Sequence, residues 1–116
     1  MKVYIAPGSV MGNPNNNVSP YYPLSLIVRR AHKIVDRPED ADLIVAEWSN
    51  EARGLLEKYP STDLLIVLWG DRLWDADKFY ARDLQKQFPD RVFIRATAME
   101  PGEESVIEFL DRYRKN

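Results

Sequence analysis

The chain has 116 residues, 45% of them apolar, which suits one domain that buries most of its unfolded surface in a single core. Its 16 Lys and Arg against 18 Asp and Glu leave a formal charge of −2, too little to gather nucleic acid or anionic lipid by a long-range field. Absence of cysteine and a single histidine exclude disulfides, thiolate nucleophiles and multi-histidine metal sites, and fit a reducing compartment.

In chain order, Lys2 to Ala6 (KVYIA) is a β-branched and aromatic run that stops at Pro7-Gly8, a predicted first strand. Ser9 to Tyr22 (SVMGNPNNNVSPYY) follows as a Gly, Asn and Pro-rich loop; loops this long in small domains are either functional or disordered, and both readings stand. Pro23 to Ala31 reads as a helix with Pro in its first turn, and His32 to Val35 as a short second strand before the Arg37-Pro38-Glu39-Asp40 turn. Asp42 to Glu47 (DLIVAE), Leu64 to Trp69 (LLIVLW) and Arg91 to Arg95 (RVFIR) complete five strands. They are continuously apolar instead of alternating, the pattern of parallel strands covered on both faces. Helices are predicted between them at Glu51 to Tyr59 and Ala76 to Phe88. A last helix follows Pro101-Gly102, with Glu103 and Glu104 at its positive end and Val106, Ile107, Phe109, Leu110 and Tyr113 as its buried stripe. The alternation predicts right-handed crossovers and a doubly wound sheet. No apolar run approaches the ~20 residues that span a bilayer, and no signal-peptide pattern is present, so a cytoplasmic protein with no membrane partner is expected.

In an open α/β sheet, ligands sit outside the carboxyl ends of the strands. The residues there are Pro7, Gly8 and Ser9 after the first strand, Glu47, Trp48, Ser49, Asn50 and Glu51 after the third, Trp69, Gly70, Asp71 and Arg72 after the fourth, and Arg95 at the fifth. Aromatic planes beside carboxylates and amides suit a planar heterocycle carrying a ribose, by stacking and by hydrogen bonds to hydroxyls. Each feature has a structural reading too. Trp48 and Trp69 also fit core or rim packing, Tyr21 and Tyr22 fit packing of the loop, and Gly8 and Gly12 make neither a dinucleotide fingerprint nor a phosphate loop. His32, beside Lys33 at the end of a helix pattern, reads as a surface or capping residue.

The order Met1-Lys2-Val3-Tyr4-Ile5-Ala6, a Gly-containing loop, Tyr22-Pro23, Arg29-Arg30-Ala31-His32, Ile34-Val35, Pro38-Glu39-Asp40, Ala41-Asp42-Leu43-Ile44-Val45-Ala46, Trp48-x-Asn50, Gly54 and Glu57 resembles the nucleoside 2-deoxyribosyltransferase-like proteins, above all their small bacterial and phage members. The likeness covers roughly the first sixty residues and lies in the order of the pieces, none of which is specific alone. It implies Tyr4 orienting Glu57 as a nucleophile on the sugar's anomeric carbon, with Glu51 or Asn50 nearer the base. A carboxylate nucleophile divides displacement at an oxocarbenium-like centre into two covalent steps. Two departures stand out: Pro7-Gly8 replaces the family's Gly-Pro, and Gly54-x-x-Glu57 is one residue shorter than its Gly-x-x-x-Glu. One residue rotates a helix position by about 100 degrees.

Two other likenesses compete. Asp42 to Glu47 resembles the third strand of response-regulator receiver domains, with Glu47 at the phosphorylated position and Arg95 for their lysine, but their acidic pair after the first strand is missing. Ala6-Pro7-Gly8-Ser9-x-Met11-Gly12 resembles phosphotransfer subunits of sugar transporters, with Pro7 where their cysteine stands. The expectation is one α/β domain over 1–116, a flavodoxin-like or Rossmann-like three-layer α/β/α sandwich on a five-stranded parallel sheet. Its expected ligand is nucleoside or nucleotide-like, met by Gly8, Ser9, Tyr22, Trp48, Asn50, Glu51, Trp69 and Asp71, with Tyr4 and Glu57 catalytic and neither metal nor cofactor. A homo-oligomer is expected from the resemblance; the non-enzymatic alternative is a pseudo-receiver-like interaction module.

Overall fold

The computed structural model describes residues 1–5, 32–46, 51–68, 81–96 and 104–113. In chain order these form β1 (Lys2–Ile5), β2 (Lys33–Ile34), a 3-10 turn (Pro38–Asp40), β3 (Leu43–Ala46), α1 (Glu51–Lys58), β4 (Asp63–Leu68), α2 (Ala81–Gln87), β5 (Val92–Ala96) and α3 (Val106–Arg112). The five strands make one sheet in the order β2-β1-β3-β4-β5, and every pairing is parallel. The five expected strands are therefore present, each within a residue of its predicted bounds. The expected helix at 23–31 and the long loop before it lie outside the described residues.

The reason these runs are strands buried on two sides is visible in their alternation. Ile44, Ala46, Leu64, Ile66, Leu68, Val92, Ile94 and Ala96 join Leu56 of α1 and Ala81 and Leu84 of α2 in one apolar cluster. Val3, Leu43, Val45, Leu65 and Val67 join Val106, Phe109 and Leu110 of α3 in another. Successive side chains of a strand point to opposite faces, so α1 and α2 pack on one face of the sheet and α3 on the other. Leu64 to Leu68 of β4 are all buried, as a central strand covered on both faces must be.

The buried stripe of α3 is Val106, Phe109 and Leu110, with Tyr113 against it. Ile107 does not belong to it. At 37% exposure it lies about 100 degrees around the helix from Val106, beyond the sheet contact. The helix opens on Ser105, whose Oγ accepts from the Glu108 backbone N–H at 3.3 Å and donates to Glu108 Oε1 at 3.1 Å, a variant of the Ser-x-x-Glu box. Phe109 is fully buried and tiles against Phe93 and Tyr113, with centroids 5.1 and 5.3 Å away. Truncating it to alanine costs about 3–5 kcal/mol by loss of transfer energy and the cavity left behind.

His32 also differs from its reading as a surface residue. It is buried, 6% exposed, with Nε2 2.8 Å from the Leu110 carbonyl and Nδ1 3.3 Å from the Met1 amine. A carbonyl only accepts, so the Nε2–H tautomer satisfies both bonds. The carbonyl that His32 meets lies in the last turn of α3, where carbonyls lack helical partners, whereas the helix pattern it is expected to end lies outside the described residues. A lone histidine beside Lys33 carried no sequence signal of the sheet edge that encloses it.

A second such cap secures α1. The guanidinium of Arg91, just before β5, donates to the carbonyls of Leu56 at 3.2 Å, Tyr59 at 2.7 Å and Thr62 at 3.2 Å. Its own carbonyl accepts from Leu64 N–H at 2.7 Å, so one residue ties the end of α1, the turn after it and the first rung of β4·β5. Positive charge at a helix C-terminus is favourable, and hydrogen bonds from a charged donor exceed neutral ones. Arg91→Ala is expected to lower the unfolding free energy on the order of 2–3 kcal/mol in urea titrations with an unchanged slope. Arg91→Lys should recover only part of it, since one ammonium cannot span three carbonyls as a planar fork does.

Candidate functional site

The place to look for a ligand follows from the strand order. β1 continues to its neighbour β2 on one side, and the chain then crosses to β3 on the other side of β1. In open α/β sheets ligands bind at such a reversal, outside the carboxyl ends of the two strands that flank it. Ile5 ends β1 and Ala46 ends β3, and the strands pair in register through Val3–Leu43, Tyr4–Ile44 and Ile5–Val45. Residues 6–9 and 47–50 follow these ends in the chain. Gly8, Ser9, Tyr22, Trp48, Asn50, Trp69 and Asp71 lie outside the described residues.

Three of the singled-out residues are described. Tyr4 is in the middle of β1, partly buried against the cluster that contains Leu56 and, beside it, Leu55. It therefore faces the α1 side of the sheet. Glu51 is the first residue of α1, and a helix that follows a parallel strand runs back across the sheet, so its first turn lies at the carboxyl edge and its last at the amino edge. Glu57 is the seventh of eight residues in α1 and is exposed. At about 100 degrees per residue it sits about 200 degrees from Leu55 and 100 degrees from Leu56, turned from the sheet. Tyr4 and Glu57 are thus not brought together. The missing residue in Gly54-x-x-Glu57 is the physical reason: with Leu55 and Leu56 inward, the next position has to point out.

Arg95, the lysine substitute in the receiver likeness, is engaged elsewhere. Its Nε lies 3.0 Å from Glu104 Oε1, its Nη1 donates to the Ile94 carbonyl at 2.8 Å, and its guanidinium sits 5.2 Å from the Phe109 ring centre. Arg112, on α3, grips the same carboxylate with Nε and with Nη2, the latter at 2.8 Å. Glu104 reads in the sequence as a helix N-terminal charge; no sequence pattern shows that it bridges arginines nine residues before it and eight after it. The Arg112 hydrogen bond is the largest cause and, helped by that of Arg95 and the charge of both guanidinium groups, holds its carboxyl below the usual carboxylate value although burial opposes it.

The amino edge carries its own polar cluster. Asp42 accepts from the Lys2 backbone N–H at 3.0 Å while its own N–H donates to Lys2 O at 2.8 Å, and the Tyr113 hydroxyl donates to Asp63. Burial, reinforced by Asp63, raises the Tyr113 phenol well above its ordinary value, so it stays a donor across the physiological range. These groups hold β1, β3, β4 and the end of α3 together. Among the described residues no group of three or more His, Asp or Glu could hold a metal ion, and no helix is long and apolar enough to cross a membrane. Comparison with protein-family models, curated proteins and solved structures finds no match to this chain.

The ion-paired Glu104 has a pH consequence. A carboxyl whose folded value lies below its unfolded one adds stability that is present above the unfolded value and is lost as pH falls through the folded one. Unfolding free energy should therefore decline with acid below about pH 4.5, the ordinary carboxyl value. Glu104→Gln is expected to flatten that part of the decline in urea titrations across the acid range. An undiminished acid slope in the variant would show that the triad contributes nothing.

Proposed function

We propose that this chain binds a nucleoside or nucleotide-like small molecule in the crevice at the carboxyl ends of β1 and β3, as its resemblance to the nucleoside 2-deoxyribosyltransferase-like proteins implies. The observation that carries the reading is the reversal of strand order between β1 and β3. The two segments that follow these strands carry the residue types such a ligand requires: Gly8 and Ser9 after β1, Trp48, Asn50 and Glu51 after β3. Stacking on Trp48 would hold the base, and Asn50, with Ser9, would meet hydroxyls or ring heteroatoms. At the opposite edge the described polar groups Asp42, His32 and Arg91 are taken up in backbone and side-chain bonds of the fold.

For chemistry at an N-glycosidic bond, we assign the carboxylate to Glu51 in place of Glu57. Glu51 is the first residue of α1, the helix end that favours negative charge, and Tyr4 faces the α1 side of the sheet. The interaction-module alternative has less support: Ile107 is the exposed large apolar residue among the described residues, and one such residue is not a docking face.

A thermal-shift screen of nucleosides, nucleoside monophosphates, ribose phosphates and dinucleotides tests the reading. A ligand at about a hundred times its dissociation constant adds about 2.7 kcal/mol of stability. Trp48→Ala should weaken binding by about 1–3 kcal/mol, the usual worth of one base on an aromatic side chain, whereas Glu57→Gln should bind and act as the parent does. Base release, followed chromatographically, is expected to disappear in Glu51→Gln. Loss in Glu57→Gln instead would reverse the carboxylate assignment, and no stabilisation by any of these compounds would remove the ligand class.

A further inference from the structure

Among the described residues β5 is an edge strand, and an uncovered edge offers a row of backbone donors and acceptors to any strand that approaches. The bond from Leu64 N–H to the Arg91 carbonyl, with Leu64 in register with Val92, sets the phase of the ladder. In a parallel pair the backbone groups of alternate residues face the neighbour, so those of residues 91, 93 and 95 face β4 and those of 92, 94 and 96 face away. Three of the outward groups of Val92 and Ile94 are occupied. Val92 N–H donates to the Phe88 carbonyl at 3.1 Å. Its carbonyl accepts from Gln85 Nε2 at 3.2 Å, and the Ile94 carbonyl accepts from Arg95 Nη1 at 2.8 Å.

The two side chains come from opposite faces. Gln85 stands on α2, whose Ala81 and Leu84 pack with the cluster containing Val92 and Ile94. Arg95 lies over the Phe109 ring on the α3 side and also pairs with Glu104. The amide of Gln85 is itself oriented, because its Oε1 accepts from Arg82 Nη1 at 3.5 Å, which leaves Nε2 for Val92. Val92, Ile94 and Ala96 are buried although their backbones point outward.

We propose that Gln85 and Arg95 together form a guard that ends the sheet at β5 and prevents a second copy of the chain from adding its own β5 there. An interface of this protein with itself accordingly lies elsewhere than on this edge. The guard depends on donors folded over the strand, not on charge repulsion, so it persists at high salt.

The test is sedimentation velocity over a range of protein concentrations, comparing the full chain with Gln85→Met/Arg95→Met, a pair that keeps side-chain bulk and removes the donors. Amide exchange at Ile94, whose N–H faces outward, is the readout specific to the edge. An added association step is expected in the double variant, its constant rising on the order of tenfold or more, with Ile94 exchange slowing as concentration rises. Glu104→Gln, which breaks the ion pair and leaves both edge bonds, should keep the parent mass. A folded double variant with the parent mass, association that leaves Ile94 exchange unchanged, or equal association of Glu104→Gln would each overturn the guard. Should the double variant not fold, Gln85→Met alone frees the Val92 carbonyl and carries the same test.

Discussion

Two central strands buried on both faces are the constraint on which the structure depends. β3 and the Leu64–Leu68 run of β4 offer water no side, so each alternate residue needs an apolar partner above or below. Burial at about 25 cal/mol per Å² of apolar surface is available only if helices return across both faces, and only parallel strands joined by crossovers bring them there. From this follow the parallel ladder, the split between the α1/α2 face and the α3 face, and the separation of the sheet into two unlike edges. The carboxyl edge receives every loop that leaves a strand; the amino edge receives every loop that enters one.

At the amino edge Arg91, His32, Asp42 and the Asp63–Tyr113 pair all bond to groups of the fold itself, mostly carbonyls and amides left over where helices end and strands begin. Buried or half-buried polar groups stabilise when satisfied and cost heavily when not, so this edge is committed to holding the sheet together. The Arg95–Glu104–Arg112 bridge does the same for the junction of β5 and α3, and its arginine doubles as a cover for the strand edge. On the reading proposed above, ligand chemistry falls to the segments that follow β1 and β3.

Strands and helix stripes were legible in the sequence because their signal is local: continuous apolar runs, Pro-Gly punctuation and acidic residues at a helix start. Ile107 departs because it borders the apolar stripe, and the width of a stripe is set by how closely the helix approaches the sheet. The bonds of His32, Arg91 and Gln85 were not legible, since their partners lie 78, 32 and 7 residues away and no spacing announces them. For the site, the carboxyl ends of the strands followed from the alternation of elements, whereas the partnership of Tyr4 with Glu57 required a helix phase that Leu55 and Leu56 set otherwise.

Amide chemical-shift mapping during titration with a nucleoside monophosphate tests the central claim, that the ligand crevice lies at the carboxyl ends of β1 and β3, most directly. The expected perturbations centre on Ile5, Ala46 and Glu51, with Asp42, Asp63, Arg91 and Tyr113 at the opposite edge unmoved. Shifts centred on the amino edge, or on the β5 edge at Val92 and Ile94, would contradict it.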